Sequence, residues 1–177
     1  GDAGLEPLRK LTKLESLALP PTATDAALEL LFGMNDLRDL TLAGASITDE
    51  GAKKLERLPK LQTLSLIRTR VGDRAMDSVG KLNELKSLWL DQTGVGDAGL
   101  RSLIGLRQLE LLSLRESAVT DEGLTSLRSL SNLKRVSLAW TRVGGGTLDP
   151  LKDLKQLEQL DLIGTQVSAA QAAELKK

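Results

Sequence analysis

The sequence predicts an α/β fold: a right-handed, curved solenoid with a parallel sheet on its concave face and short helices on its convex face. Two observations carry this prediction. The motif LxxLxL recurs seven times at steps of 23 and then 24 residues, with Val136 as the second apolar residue of one copy, and each copy is followed by apolar residues at helical spacing. A fixed period of this length is typical of repeat architectures. The repeats begin at Leu14, Leu37, Leu61, Leu85, Leu109, Leu133 and Leu157.

Each repeat reads as a strand followed by a short helix, with position 1 taken as its first leucine. In the fifth repeat, positions 3 to 7 alternate in a period of two, which directs Leu112 and Leu114 inward from a strand. The next apolar residues are spaced at three, as on one face of a helix. They are Leu124, Leu127 and Leu130.

The segment between strand and helix carries helix-start signals. Thr120 and Asp121 stand where an N-cap residue belongs, and Glu122 adds a carboxylate at the positive end of the helix dipole. One aspartate recurs per repeat, and we expect each to cap its own helix. Stacked carboxylates also suggest calcium, but because capping accounts for each of them we expect no metal. The column comprises Asp2, Asp25, Asp49, Asp73, Asp97 and Asp121.

Position 9, just after the strand, is predicted to satisfy the turning backbone with a buried hydroxyl. Backbone polar groups lose their ladder partners where a strand ends, and a hydroxyl can replace them. The residues at this position are Thr22, Ala45, Thr69, Thr93, Ser117, Thr141 and Thr165.

The repeat resembles that of leucine-rich repeat proteins over essentially the whole chain. Its 24-residue TxVTDxGLxxL form is similar to the cysteine-containing and ribonuclease-inhibitor-like subclasses and their bacterial relatives, with Thr where those carry Cys or Asn. The resemblance implies a curved solenoid that is used mostly to bind other proteins.

Composition argues against several function classes. The 24 basic and 24 acidic residues cancel, so we expect no nucleic-acid partner. The chain has no Cys, His or Tyr, which removes thiolate nucleophiles and imidazole bases, and its GxG segments lack the other residues of a nucleotide loop; we expect no cofactor. No apolar run approaches the roughly 20 residues that span a bilayer, so we expect no membrane insertion. The sequence does not indicate a compartment.

Aromatic and arginine side chains cluster on the outward positions of repeats 3 to 6. Both tryptophans lie there, and Trp and Arg are the residues most enriched at interface hot spots. We therefore predict a non-catalytic protein-binding module whose partner docks on the concave face. The predicted site residues are Trp89, Trp140, Arg115, Glu116, Asp91, Arg68, Arg70, Arg142, Gln92 and Ile67.

The same residues are also compatible with three other interpretations. Asp91 and Glu116 near a tryptophan suggest a glycosidase, but Arg115 stands beside Asp91 on the next strand, so an ordinary ion pair is expected. A glycan-binding module without chemistry remains an alternative. A structural or self-assembling spacer for flanking domains is another.

We expect residues 1–177 to form a single domain in which residues 1–13 are a partial repeat and the last repeat is incomplete. Uncapped repeats at both ends suggest a piece of a longer protein, or end-to-end self-association. In the sixth repeat Gly144, Gly145 and Gly146 replace the aspartate, which predicts a helix that starts late.

Overall fold

The computed structural model describes residues 2–144, 146 and 148–175. Within these described residues, seven strands form one parallel sheet in sequence order. Each repeat contributes one strand, so neighbours in sequence are neighbours in space. The strands are β1 Ser16–Ala18, β2 Asp39–Thr41, β3 Thr63–Ser65, β4 Ser87–Trp89, β5 Leu111–Ser113, β6 Arg135–Ser137 and β7 Gln159–Asp161.

The sheet is in register with the repeat. Equivalent positions pair along the ladder, as Leu40 does with Leu64 and Leu64 with Leu88. The leucines at positions 4 and 6 of the central repeats are fully buried, and the residues between them face outward. The predicted α/β solenoid is therefore confirmed, with its core between the sheet and the helices.

Short helices close each repeat on the other side of the core. The α-helices are α1 Asp49–Ala52, α2 Asp73–Val79, α3 Asp97–Ser102, α4 Asp121–Leu127, α5 Asp149–Lys152 and α6 Ala169–Glu174. The 3₁₀ helices span Asp2–Lys10, Ala27–Leu31 and Lys53–Arg57. None of the helices in the described part of the chain has both the length and the apolar character needed to cross a membrane.

The hydroxyl at position 9 works as predicted in four repeats. The Thr93 hydroxyl donates to the carbonyl of Leu90 at 2.6 Å, three residues back. Thr69, Thr141 and Thr165 make the same bond at 2.6 to 2.7 Å. The other three repeats differ: Thr22 is exposed, Ala45 has no hydroxyl, and the buried Oγ of Ser117 has no hydrogen-bond partner.

The aspartate column joins neighbouring repeats. Asp97 accepts hydrogen bonds from the backbone N–H of Thr120 at 2.8 Å and from its hydroxyl at 2.6 Å. Asp25 holds Thr48 in the same way, at 2.8 and 2.6 Å. Because each bond spans 23 residues, it ties one repeat to the next.

The expectation that each aspartate caps its own helix is therefore wrong. In α4 the cap is Thr120, whose hydroxyl accepts from the N–H of Glu122, while Asp121 is the first helical residue. The carboxylate of the preceding repeat holds that threonine, and Asp121 in turn accepts from the N–H of Gly144 at 2.7 Å. The Thr120 hydroxyl thus donates to Asp97 of the preceding repeat and accepts from Glu122 of its own helix, which fixes the helix start more firmly than a local cap alone.

The glycine of the TDxGL motif makes room for this carboxylate. A Cβ at Gly123 would lie 2.4 Å from Oδ1 of Asp97, and one at Gly99 would lie 2.7 Å from Oδ1 of Asp73. Both glycines are buried. Their absence of a side chain is what lets the aspartate of one repeat reach the helix start of the next.

The sixth repeat departs from the pattern as predicted, since α5 begins only at Asp149. Gln171 of the last repeat donates to the carbonyls of Gly144 at 3.3 Å and Gly146 at 2.7 Å. Gly145, the middle residue of the predicted glycine run, lies outside the described residues.

Candidate protein-binding surface

Position 8, just beyond each strand, has left-handed backbone in six repeats. Arg68, Gln92, Glu116 and Trp140 have φ values of 55°, 54°, 54° and 59°. Glycine occupies the position in repeats 2 and 7, as Gly44 and Gly164. Left-handed backbone costs a residue with a Cβ about 1–2 kcal/mol, a cost that glycine avoids. Four consecutive repeats therefore hold a strained residue where glycine would be relaxed.

The side chains at position 8 of repeats 3 to 5 form a hydrogen-bonded row. Nε of Arg68 donates to Oε1 of Gln92, and Nε2 of Gln92 donates to Oε2 of Glu116 at 2.7 Å. Nε of Arg115 donates to the other carboxylate oxygen of Glu116 at 3.1 Å. Each side chain is oriented by its neighbour, so the row presents a defined polar surface.

The expected ion pair between Arg115 and Asp91 is absent. The Asp91 carboxylate instead accepts from the hydroxyl of Ser113 and from the backbone N–H of Arg115, the latter at 3.0 Å. The Arg115 guanidinium turns to Glu116, its neighbour in sequence. The left-handed backbone of Glu116 is the physical reason we infer for this pairing, because it redirects the Glu116 side chain after the strand.

Two arginines flank the row, and their guanidinium groups make no contact of opposite charge within the described residues. Arg70 follows Arg68 after one buried residue, and Arg142 follows Trp140 in the same way. Both are exposed, and in the described part of the chain neither side chain makes a hydrogen bond or ion pair. Ile67, at the repeat-3 end, is half-buried.

Trp140, at position 8 of repeat 6, forms an exposed apolar spot with Ile163. Its side chain packs on Gly164 of the next repeat, where a Cβ would lie 2.4 Å from Cδ2 of the indole. Trp140 is 54% exposed and neighbouring Ile163 is 65% exposed. Ile163 was not among the predicted site residues; its position-7 column, outward-facing in the sequence, is the signal that could have identified it.

We call positions 7, 8 and 10 of repeats 3 to 6 the edge surface. It contains nine of the ten predicted site residues; Trp89, which is half-buried, lies elsewhere. Its members are Ile67, Arg68, Arg70, Asp91, Gln92, Gly94, Arg115, Glu116, Ala118, Trp140 and Arg142, together with Ala139, which is buried beneath the surface.

Trp89 stands instead at one end of a groove of ≈ 570 Å³ across β4 to β7. The other lining residues were not among the predicted site residues. The signal that could have identified them is the alternation along each strand, which places Leu111, Arg135 and Gln159 at the same outward position of neighbouring repeats. The groove is lined by Trp89, Leu111, Leu112, Ser113, Arg135, Val136, Ser137, Glu158, Gln159, Leu160 and Asp161.

The carboxylates near the edge surface and the groove accept hydrogen bonds from neighbouring side chains. On the rim of the sheet, Lys134 donates to Glu110 at 3.0 Å, and this bond lowers the pKa of the Glu110 carboxyl. Within the groove, Asp161 accepts from the hydroxyl of Ser137 at 3.1 Å. Among the described residues, no three acidic side chains come close enough together to hold a metal ion.

Sequence comparisons give no direct relative. No protein-family model matches the chain, and no curated protein matches it.

Solved structures match the fold. An internalin (InlF) from Listeria monocytogenes superimposes with a TM-score of 0.76 at 23% identity, over 93% of this chain and 45% of that one. Internalin C2 from the same species gives 0.69 at 23% identity, over 94% and 80%. A leucine-rich repeat protein of Leptospira interrogans gives 0.68 at 19% identity, over 97% and 48%. This chain thus spans about half the length of two of them, and at these identities the likeness establishes the leucine-rich repeat fold.

Proposed function

We propose that this leucine-rich repeat solenoid is a non-catalytic protein-recognition module that binds its partner on the edge surface. The observation that carries the proposal is the run of strained residues at position 8. Repeats 2 and 7 place glycine there, so the fold does not require Arg68, Gln92, Glu116 or Trp140. Strain retained at an exposed position where glycine fits is typical of a site kept for binding.

The side chains at this surface suit a protein partner. Tryptophan and arginine dominate interface hot spots, and a row held by internal hydrogen bonds loses little conformational entropy when a partner docks. The apolar spot of Trp140 and Ile163 supplies an anchor next to the polar row. Both properties favour binding to a preformed surface.

Affinity capture from the native source tests the proposal. We expect the wild-type chain to retain a partner that the Trp140→Gly variant loses, because this change removes the anchor while leaving the backbone relaxed. The matched control is Ile104→Gly: Ile104 is 47% exposed and lies after α3, away from the edge surface. Equal capture by wild type and Trp140→Gly would contradict the proposal.

The groove at Trp89 favours a second candidate, glycan binding. It offers one aromatic face together with the guanidinium of Arg135 and the amide of Gln159, and in the described residues neither of these two side chains makes an internal hydrogen bond. Its volume is within the range of small-ligand sites. A glycan array probed with wild type and Trp89→Ala tests this: signals lost only in the variant support it, and an array without signals contradicts it.

A further inference from the structure

Charge on the outward positions of this edge is confined to repeats 3 to 6. At positions 7, 8 and 10 these repeats carry four arginines, one aspartate and one glutamate. The same positions in repeats 1, 2 and 7 carry no charge at all; they hold Pro20, Pro21, Ala23, Ala43, Gly44, Ser46, Ile163, Gly164 and Gln166. A chain of zero net charge therefore concentrates a positive excess on the edge surface.

That excess is available to a partner. Both acidic groups of the edge surface are already in use, Asp91 by Ser113 and Glu116 by Arg115 and Gln92. Arg70 and Arg142 have no internal acceptor in the described part of the chain. Nearby aspartates at the helix starts are committed to the next repeat, as Asp73 is to Gly96 at 2.7 Å and Asp97 is to Thr120. The two free guanidiniums are thus left for acceptors outside the chain.

We propose that the partner presents an extended acidic segment to the edge surface, with acidic side chains at Arg70 and Arg142 and an apolar side chain on Trp140 and Ile163. This inference rests on the proposed function and names its partner class. Strands lie about 4.8 Å apart, so repeats 3 and 6 are separated by roughly 14 Å, which an extended peptide covers in about four or five residues. The segment thus carries acidic residues four or five positions apart, with the apolar residue next to one of them.

The direction in which the acidic segment binds follows from the asymmetry of the edge surface. The apolar spot adjoins only Arg142, and Arg70 at the other end is flanked by Arg68 and the half-buried Ile67. Like-charge contact would exclude basic segments. A segment of the right composition therefore binds in one direction.

Panning a display library of random peptides on the immobilised chain tests the proposal without a known partner. We expect enriched peptides to have net negative charge and an apolar residue beside an acidic one. A synthetic copy of an enriched peptide should bind at least about tenfold more weakly to Arg70→Ser/Arg142→Ser and to Trp140→Gly. Its affinity should also fall as salt rises from about 50 mM to about 500 mM.

The matched control is Arg74→Ser/Arg101→Ser, which removes two exposed helix arginines and should leave peptide affinity unchanged. Enrichment of neutral or basic peptides, no enrichment, or binding indifferent to Arg70 and Arg142 would overturn the proposal. So would a sulfated polysaccharide fragment that binds through these arginines when no acidic peptide does. If native capture still depends on Trp140 in any of these cases, the recognition function stands and only the acidic partner class fails.

Discussion

The carboxylate of Asp97 holds both the backbone N–H and the hydroxyl of Thr120, in the next repeat, at 2.8 and 2.6 Å. These two hydrogen bonds join one repeat to the next outside the sheet and the core. Repeat proteins depend on such nearest-neighbour terms, because no single repeat buries enough apolar surface to fold alone.

Removing the carboxylate should weaken the whole solenoid. We expect Asp97→Ala to lower the free energy of unfolding by about 1–3 kcal/mol, because it leaves a part-buried N–H without its charged acceptor. Chemical denaturation measures this loss. The control is Asp39→Ala, since Asp39 is exposed on β2 and its side chain has no hydrogen-bond partner in the described residues. Equal stability of the two variants would contradict the inter-repeat role.

The motif glycine should be as sensitive as the aspartate. Gly123→Ala places a methyl group 2.4 Å from the Asp97 carboxylate, and we expect this overpacking to cost about 1–3 kcal/mol. Gly105→Ala, whose Cβ would meet nothing closer than 3.9 Å, should be nearly neutral. In the double variant Asp97→Ala/Gly123→Ala the total loss should be smaller than the sum of the two single losses. The clash with the carboxylate is gone there, and only the 3.0 Å contact of the new methyl group with Cδ1 of Leu100 remains. Additive losses in a denaturation cycle would show that the two residues act separately.

Buried hydroxyls at position 9 should differ in importance although they occupy equivalent sites. Thr93→Val removes a hydroxyl bonded to the Leu90 carbonyl at 2.6 Å, and we expect it to cost about 1–2 kcal/mol. Ser117→Ala removes a hydroxyl without a partner and should change stability little. Thermal melting of the two variants compares them. A larger loss in Ser117→Ala would mean that its hydroxyl is bonded in solution.

Left-handed backbone at position 8 should make a glycine variant more stable than an alanine variant, the reverse of the usual order. At Gln92, with φ of 54°, the glycine variant should be more stable than the alanine variant by about 1 kcal/mol. At Arg70, whose φ is not positive, alanine should be the more stable of the two. Denaturation midpoints of the four variants decide the matter. An alanine variant that is the more stable one at Gln92 as well would contradict backbone strain at position 8.

The sequence predicted the fold but not the direction of several side chains. Period and alternation place every strand, because burial of the leucines at positions 4 and 6 depends only on spacing. The reach of Asp97 into the next repeat is a tertiary contact, and a carboxylate beside a threonine looks like a local cap when only one repeat is considered. Knowing which repeats stack is what separates the two roles.

The binding surface was predictable in composition and not in geometry. Trp89 and Trp140 both read as outward residues, yet one lines a groove with Arg135 and the other packs on Gly164. Strand register predicts an ion pair between Arg115 and Asp91, whereas the Arg115 guanidinium pairs with Glu116 and only its backbone N–H bonds to Asp91. Glutamate rarely adopts left-handed backbone, so Glu116 itself does not mark the turn. The signal that could have indicated it is glycine at the same position of repeats 2 and 7, as Gly44 and Gly164.

The most direct test of the edge surface replaces its strained column. A variant in which Arg68, Gln92, Glu116 and Trp140 are all glycine adopts at those sites the residue already present in repeats 2 and 7. We expect this variant to fold, with a melting temperature above that of the matching alanine variant, and to bind the captured partner at least about 100-fold more weakly than wild type. A folded glycine variant with wild-type affinity would contradict the claim that the column is the binding site.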